Sequence, residues 1–422
     1  MVLKSEIRTE ALKDKKIGEK FPNDKIFDVN NAYRITKRLT FPRLIGSNGE
    51  KKAKEIVLDE FKKAGYNSIY RDCFKTSFYN LIVLRYVFIP MGICLILLSL
   101  SFSINYWLTL GLILTNLYIA KKVLGLATTD KIHLLKNEIK NYQTENIFTE
   151  LKNKDSKKTV VFIAHWDSKS LTFSSYLRIF LFLFVVIGFF ILIFLYLILT
   201  IIQLIFSFNN FILNRLMSYC SILVALASNL NYFNKTKNYS PGAYDNAAAV
   251  GTVIELARYY KNKQLENIDF IFLCTSSEEL NLGGAKYFIQ KYKNKLDKNS
   301  TYFINLDLIG GNELIRLITS FGIPRKVSSK ILKKLFLKGA NRLNIKLKDV
   351  YLPTGAWSDY MPIVQQGFEA CWLGSQPGLK YVHTKHDDIR LIYKEGLINI
   401  FYLCEYVINK LNTDEKTGNL NR

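Results

Sequence analysis

Thr159-Val-Val-Phe-Ile-Ala-His-Trp-Asp-Ser168 is a short apolar run whose polar residues, His165 and Asp167, come only at its end. Its length, its β-branched content and its lack of a helical period mark a buried strand of the kind covered on both faces. Asp269–Thr275, Tyr302–Leu306 and Phe368–Leu373 read the same way. Between and after them, Ala247–Tyr260 and Ala285–Lys295 carry the 3.6-residue period of helices with one apolar face. Upstream, Ser47-Asn48-Gly49-Glu50 is a capping box opening a helix with Ala53, Ile56, Val57 and Phe61 on one face and Gly65 just past its end. Strand and helix in alternation predict an α/β fold, a mostly parallel mixed sheet flanked by helices. In such sheets the residues just beyond the strands' carboxyl ends gather at one rim, where sites are built.

Five segments place polar residues at such positions: Ala-His-Trp-Asp-Ser (164–168), Ser-Pro-Gly-Ala-Tyr-Asp-Asn (240–246), Ser-Ser-Glu-Glu-Leu (276–280), Asn-Leu-Asp-Leu-Ile-Gly (305–310) and Val-His-Thr-Lys-His-Asp (382–387). Taken singly, each has a plain reading. His165 could be a capping residue, Asp245 an N-cap, and Glu278-Glu279 an acidic helix start ahead of Gly283-Gly284. Taken together, two histidines and several carboxylates are the ligand set of a two-metal hydrolytic site. Without thiolates the set favours two Zn2+ ions, with Co2+ or Mn2+ able to occupy the same positions. Asp245 precedes a helix starting near Asn246, so the helix dipole keeps it ionised, and an ionised carboxylate can bridge two cations. Gly242 and Pro241 allow the backbone the tight approach this needs. Glu278 and Glu279 point apart in an extended segment, so one can ligate while the other faces a bound water. Asp307 is costly to bury without a cation partner. His383 and His386, three residues apart, compete for the last place.

The order and wording of these segments resemble the M28 family of zinc aminopeptidases, from about Phe27 to Leu411 with two apolar insertions. Leu39-Thr-Phe-Pro-Arg-Leu-Ile-Gly-Ser-Asn-Gly-Glu50 looks like the family's lead-in to its first helix, and Leu-Gly-Gly-Ala-Lys-Tyr-Phe (282–288) matches it closely. The resemblance implies a di-zinc exopeptidase of aminopeptidase type acting on peptides. It assigns His165 and Asp307 to the first zinc, Glu279 and His383 to the second, and Asp245 to both. Asp167 would orient a histidine ligand, Glu278 would be the general base and then the acid, and Asp387 would support the last loop. Two positions depart from the pattern. Tyr360 stands where many relatives have His. Val382 stands where some place an oxyanion-stabilising tyrosine, leaving Tyr381, Tyr360 or another group to serve. A glutaminyl-cyclase-like transferase also suits His-Trp-Asp-Ser-Lys (165–169) and Leu-Asp-Leu-Ile-Gly (306–310), though less well Asp245-Asn246. A non-catalytic binding module would show missing ligands, and none is missing.

The apolar insertions decide the environment. Tyr86–Ala120 holds no charged residue, and Ile179–Asn234 holds only Arg215. A membrane helix needs about 20 apolar residues, so these read as transmembrane hairpins, 86–120 and 179–233, inserted into a single peptidase domain spanning 1–422. Asn105 and Asn209-Asn210 mark their turns, with Tyr106–Ala120 short for a full crossing. Arg85, Lys121, Lys122, Arg178, Lys235 and Lys237 flank the ends facing the peptidase domain. The positive-inside rule therefore predicts an integral membrane protein of about four spans with its catalytic domain in the cytoplasm. The chain carries 58 basic and 35 acidic residues, net +23. The excess suits an anionic bilayer, while no helix-turn-helix, RNP or zinc-finger pattern points to nucleic acid. The six cysteines lack CxxC spacing and read as small buried hydrophobes in a reducing compartment. No apolar h-region lies in the first twenty residues, so no cleavable signal peptide is expected.

Overall fold

A computed structural model describes residues 27–128, 142–154, 156–206, 210–263, 265–353, 358–376 and 380–413. The chain opens with helices α1 (Val29–Leu39) and α2 (Asn48–Lys63), strand β1 (Tyr70–Thr76), and the helical pair α3 (Tyr79–Ile104) and α4 (Tyr106–Thr128). There follow β2 (Tyr142–Leu151), β3 (Lys158–His165), β4 (Ser170–Leu171), a second pair α5 (Ser175–Phe206) and α6 (Phe211–Tyr232), and β5 (Thr236–Lys237). After a turn at Ala243–Ala247 come α7 (Ala248–Lys263), β6 (Ile268–Thr275), α8 (Gly283–Tyr292), β7 (Thr301–Leu306), β8 (Ile315–Phe321) and β9 (Lys326–Val327). The chain closes with α9 (Lys330–Leu343), β10 (Leu347–Leu352), α10 (Tyr360–Gln365), β11 (Glu369–Ser375) and α11 (Lys394–Thr413).

The main sheet runs β1-β2-β6-β3-β7-β11-β8-β10, with β9 paired to β8. Its centre, β6-β3-β7-β11, is parallel; β1 with β2, β2 with β6, and β11 with β8 are antiparallel. Side chains alternate across it as the pleat requires. Val160, Phe162 and Ala164 enter one core with α1, α2, α7 and α11, while Val161 and Ile163 enter a second core with α8 and α10. This is the mostly parallel mixed sheet expected, covered on both faces.

The helical pairs extend beyond the uncharged runs that announced them. Arg85 lies inside α3, where its guanidinium donates to Tyr232 O at 3.0 Å and sits 5.2 Å from the centre of that residue's ring. Counting charge-free residues therefore starts the helix too late. Ile82 lies in α3, and the strand before the insertion is β1, ending at Thr76. The Tyr106 helix is longer than expected, running to Thr128. Asn105 does turn the first pair, its Oδ1 accepting from the amides of Trp107 and Leu108. Asn209 lies outside the described residues, and Asn210 caps α6 through Leu213 N. The four helices pack together through apolar contacts and a few polar ones, including Ser99–Ser218 at 2.8 Å and Tyr196–Ser221 at 2.9 Å. Their outer faces expose Phe180, Ile187, Phe194, Leu223 and Leu226. Among the described residues, α3, α5 and α6 are long and apolar enough to cross a membrane.

Helix α7 comes against α1 at Gly251, where a Cβ would lie 2.6 Å from Ala32 O and 2.8 Å from Thr36 Oγ1. Gly251→Val should force these helices apart and cost about 1–3 kcal/mol, the usual penalty of overpacking. A lower midpoint in thermal unfolding of the purified chain checks this; an unchanged midpoint would mean the contact has slack.

Candidate metal centre

Three parallel neighbours deliver their carboxyl ends to one rim. His165 closes β3 opposite Thr275 of β6, and Asp307 directly follows β7 on the other side of β3. The loop after β6 carries Glu278 and Glu279. Asp245 comes from the turn before α7, where its backbone and that of Asn246 leave helical values. His383 arrives on the loop after β11, with φ near +62°.

These segments are pinned by groups that do not belong to the cluster. The buried Arg43 guanidinium donates to the carbonyls of Trp166 (2.7 Å), Phe41 (3.0 Å), Pro241 (2.7 Å), Gly242 (3.0 Å) and Leu39. It thereby ties the lead-in segment to both the His165 and the Asp245 loops. Gly242 has φ +60°, and a Cβ there would lie 2.6 Å from Asp245 O and 2.9 Å from Arg43 Nη2, so the turn has room only for glycine. The Asp387 carboxylate accepts from the amides of Tyr244 (2.7 Å) and Asp245 (3.1 Å). Burial, then repulsion from Asp245, pushes Asp387 up to about 8. The Asp167 carboxylate accepts from the amides of Glu278 and Glu279, both at 3.2 Å, and lies 3.6 Å from His165 Nδ1.

The cluster itself is close and polar. His165 Nε2 lies 3.2 Å from Asp245 Oδ1, 3.7 Å from Asp307 Oδ1 and 3.8 Å from Glu278 Oε2. His383 Nε2 lies 3.2 Å from Asp245 Oδ2 and 3.0 Å from Glu279 Oε2. The two oxygens of Asp245 thus face different histidines. Two groups of donor atoms result, His165–Glu278–Asp307 and Asp245–Glu279–His383, each with all its atoms within 4.8 Å of one another. Although buried, His165 Nε2 and Asp307 Oδ1 make no hydrogen bond. Burial followed by neighbouring carboxylates drives Glu278 well above the usual carboxylate range, and burial raises Asp359 to about 7. Against burial, His165 and His383 pull Asp245 far below it, and His383 and Lys169 pull Glu279 down to about 2. Crowded carboxylates, unbonded buried donor atoms and an all-nitrogen-and-oxygen set fit zinc.

The rim thus brings together His165, Asp245, Glu279, Asp307 and His383, with Glu278 and Asp167 beside them. His386 is exposed and away from it. Tyr360 lies in the core, its ring 5.7 Å from Phe321 and 6.2 Å from Trp372.

Residues 232–408 match the model of Peptidase family M28. Over that stretch, which carries Asp245, Glu278, Glu279, Asp307 and His383, the chain is similar to peptidase family M28. A vacuolar membrane protease of Schizosaccharomyces pombe is 28% identical over 182 residues, 42% of this chain and 20% of that protein. Aminopeptidase YwaD of Bacillus subtilis is 27% identical over 172 residues, 38% of this chain and 35% of that protein. The matches thus span about a fifth to a third of these relatives' length. Among solved structures, the zinc aminopeptidase BSAP from Bacillus subtilis superposes with TM-score 0.54 at 14% identity, covering 94% of this chain and 97% of its own. An Acidobacteriales glutaminyl cyclase superposes with TM-score 0.53 at 14% identity, covering 93% and 99%. At such identities the likeness is one of fold.

Several residues around the rim escaped sequence reasoning. Ser358 Oγ donates to Asp307 Oδ2 at 2.5 Å, and Asp359 accepts from Thr275 Oγ1. Lys169 Nζ lies 2.9 Å from Glu279 Oε2, and Glu279 and Glu278 hold its ammonium above the ordinary lysine range against the cost of burial. Their signal in the sequence is adjacency: Lys169 follows the His-x-Asp segment, and Ser358-Asp359 directly precede Tyr360.

Asp387→Ala removes the acceptor that fixes the backbone of Tyr244 and Asp245. Loss of such a support typically costs 10–100-fold in metal affinity, so zinc titration of the variant should show a drop of about that size with the fold intact. Unchanged zinc affinity would mean that Asp245 is held by other contacts.

Proposed function

We propose that this chain is a membrane-embedded zinc exopeptidase that removes amino-terminal residues from peptides. The observation that carries the reading is Asp245, whose two oxygens each lie 3.2 Å from a different imidazole. A carboxylate so shared is the arrangement by which a protein spaces two cations. On this reading His165 and Asp307 hold one zinc, Glu279 and His383 the other, and Asp245 both. Bound there, a zinc pair would acidify water and stabilise negative charge developing on the scissile carbonyl. Glu278 Oε2 lies 3.8 Å from His165 Nε2 while Glu279 Oε2 faces His383 at 3.0 Å, so with Glu279 as ligand Glu278 would be the member of the pair that handles protons. It would take the proton of the attacking water and deliver it to the departing amine nitrogen, which leaves neutral. Asp167, bonded to both glutamate amides, would hold base and ligand in fixed relation. A cyclase-like transferase shares the fold; the second donor group around His383 favours the peptidase.

On this reading the chain is one M28-like domain interrupted by two membrane hairpins, α3–α4 and α5–α6, crossing four times with α4 as the fourth span. By the positive-inside rule, the basic flanks from Arg85 to Lys237 favour a cytoplasmic peptidase domain. The second hairpin leaves and re-enters at the site's rim, so the mouth of the site would lie near the bilayer and favour apolar or membrane-attached peptides over bulk hydrophilic ones.

Glu278→Gln should retain zinc and lose turnover of aminoacyl-coumarin substrates by about 10²–10⁴-fold, since an amide cannot accept the water's proton. Chelator should abolish turnover in the parent. Near-parental rates in the variant would remove Glu278 from the role, and chelator-insensitive turnover would remove the metals. For topology, cysteines placed at Ser103 and Asn210 should react with an impermeant reagent outside intact cells, whereas one at Lys237 should react only after permeabilisation. The reverse pattern would invert the orientation.

A further inference from the structure

One part of the rim is unlike the rest. Lys169 Nζ sits 2.9 Å from Glu279 Oε2 and donates to Glu279 O at 3.0 Å. Beside it, Arg178 in the first turn of α5 has no carboxylate within 4.0 Å among the described residues. Its Nη2 donates to Ser175 Oγ at 3.0 Å, and its Nε is buried without a partner. Ser175 Oγ in turn donates to Val382 O, one residue before His383. The carboxylates that bear on Arg178 across space are Glu279 and Asp245, and Lys169 bears on it as a like charge near the same glutamate. Once those two carboxylates are engaged with metals, both cations at this end of the site lack a counter-charge. A half-buried guanidinium whose Nε is shut off from water is costly to leave in that state unless an anion meets it. A substrate's free ammonium brought to Glu279 would also meet Lys169 as a like charge.

We propose that Arg178, with Lys169 beside it, recognises a carboxylate on the peptide substrate, making acidic peptides the favoured substrates of this site. The inference rests on the exopeptidase reading for its substrate. The carboxylate has two available sources, the side chain of an amino-terminal Glu or Asp and the free carboxyl terminus of a dipeptide. Guanidinium suits either, since its planar fork pairs with carboxylate through two parallel hydrogen bonds.

The test uses the zinc-loaded full chain in detergent micelles and four peptides: Glu-Ala-amide, Gln-Ala-amide, Leu-Ala-amide and Leu-Ala with a free carboxylate. Turnover is measured in the parent and binding, by calorimetry, in Glu278→Gln. A charge-assisted hydrogen bond corresponds to about tenfold or more in affinity. Glu-Ala-amide should therefore exceed Gln-Ala-amide by at least about tenfold if the side chain is read. Leu-Ala should exceed Leu-Ala-amide by the same factor if the terminus is read. Arg178→Met should collapse that ratio through KM and Kd, and Arg178→Lys should restore part of it. Parent protein that ignores charge in both arms overturns the proposal without any variant, whether or not the variants fold. So does a ratio that survives Arg178→Met. The proposal also falls if Arg178→Met weakens binding to phosphatidylglycerol vesicles while leaving peptide discrimination intact, since the arginine would then be a headgroup anchor. If no peptide is cleaved yet the calorimetric ratio and its loss in Arg178→Met are seen, the exopeptidase reading fails and this one stands.

Discussion

The rest of the site depends on the cost of crowding carboxylates in a buried space. Asp245, Glu278, Glu279 and Asp307 lie around two imidazoles, and among the described residues Lys169 is the one lysine or arginine in ion-pair contact with them. Left to themselves, such groups repel and take up protons, as burial does to Glu278. The fold keeps them together with neutral dipoles and remote charge. Asp387 and Asp167 hold amides on either side, and Arg43 binds five backbone carbonyls rather than any acid. This arrangement fixes the donor atoms while leaving their charge available to a cation. It also separates two kinds of sensitivity. Changes at the pins act through geometry, and changes in the cluster act through charge.

Parallel pairing of β6, β3 and β7 is what makes the convergence possible. Neighbouring strands that end together put Thr275, His165 and Asp307 within one rim without any long-range search by flexible loops. The pieces that are not strand ends need more support. Asp245 lies in a turn with non-helical dihedrals, His383 and Ser277 adopt positive φ, and each is tied by hydrogen bonds to a distant segment. Ser277 Oγ meets Thr76 Oγ1 at 2.6 Å, and Leu171 N donates to His383 O at 3.0 Å. Unfavourable backbone positions persist only where surrounding contacts over-determine them.

The central strands were legible because alternation and strand-end polarity are local signals. Val160 and Phe162 had to face one core, Val161 and Ile163 the other, and the residues after each strand had to reach the rim. The family resemblance added the names of the functional residues, and the geometry brings those residues together. What sequence could not supply was pairing between distant segments. Nothing local to Arg43 says that it will bind carbonyls near residues 166 and 241, and nothing local to Arg178 separates a membrane-flanking charge from a site residue. Helix ends in the hairpins were misjudged for a related reason. A charge counts against an apolar run only while it is unpaired, and Arg85 is covered by Tyr232.

The second hairpin is more than an insertion tolerated at the surface. Its first strand residue pair, β4, joins β5 across the hairpin's base, so the two apolar helices α5 and α6 leave the domain from one small clamp. From that clamp, Leu171 N reaches His383 O and Ser175 Oγ reaches Val382 O. The loop that carries His383 therefore takes part of its backbone support from the first turn of α5. A backbone held at φ near +62° has little tendency to keep that shape alone. Tilting or withdrawing α5 would remove hydrogen bonds from the very loop that presents the imidazole. Anchoring and chemistry thus share a hydrogen-bonded joint, and the position of the helix in its surroundings enters the geometry of the site through two backbone carbonyls.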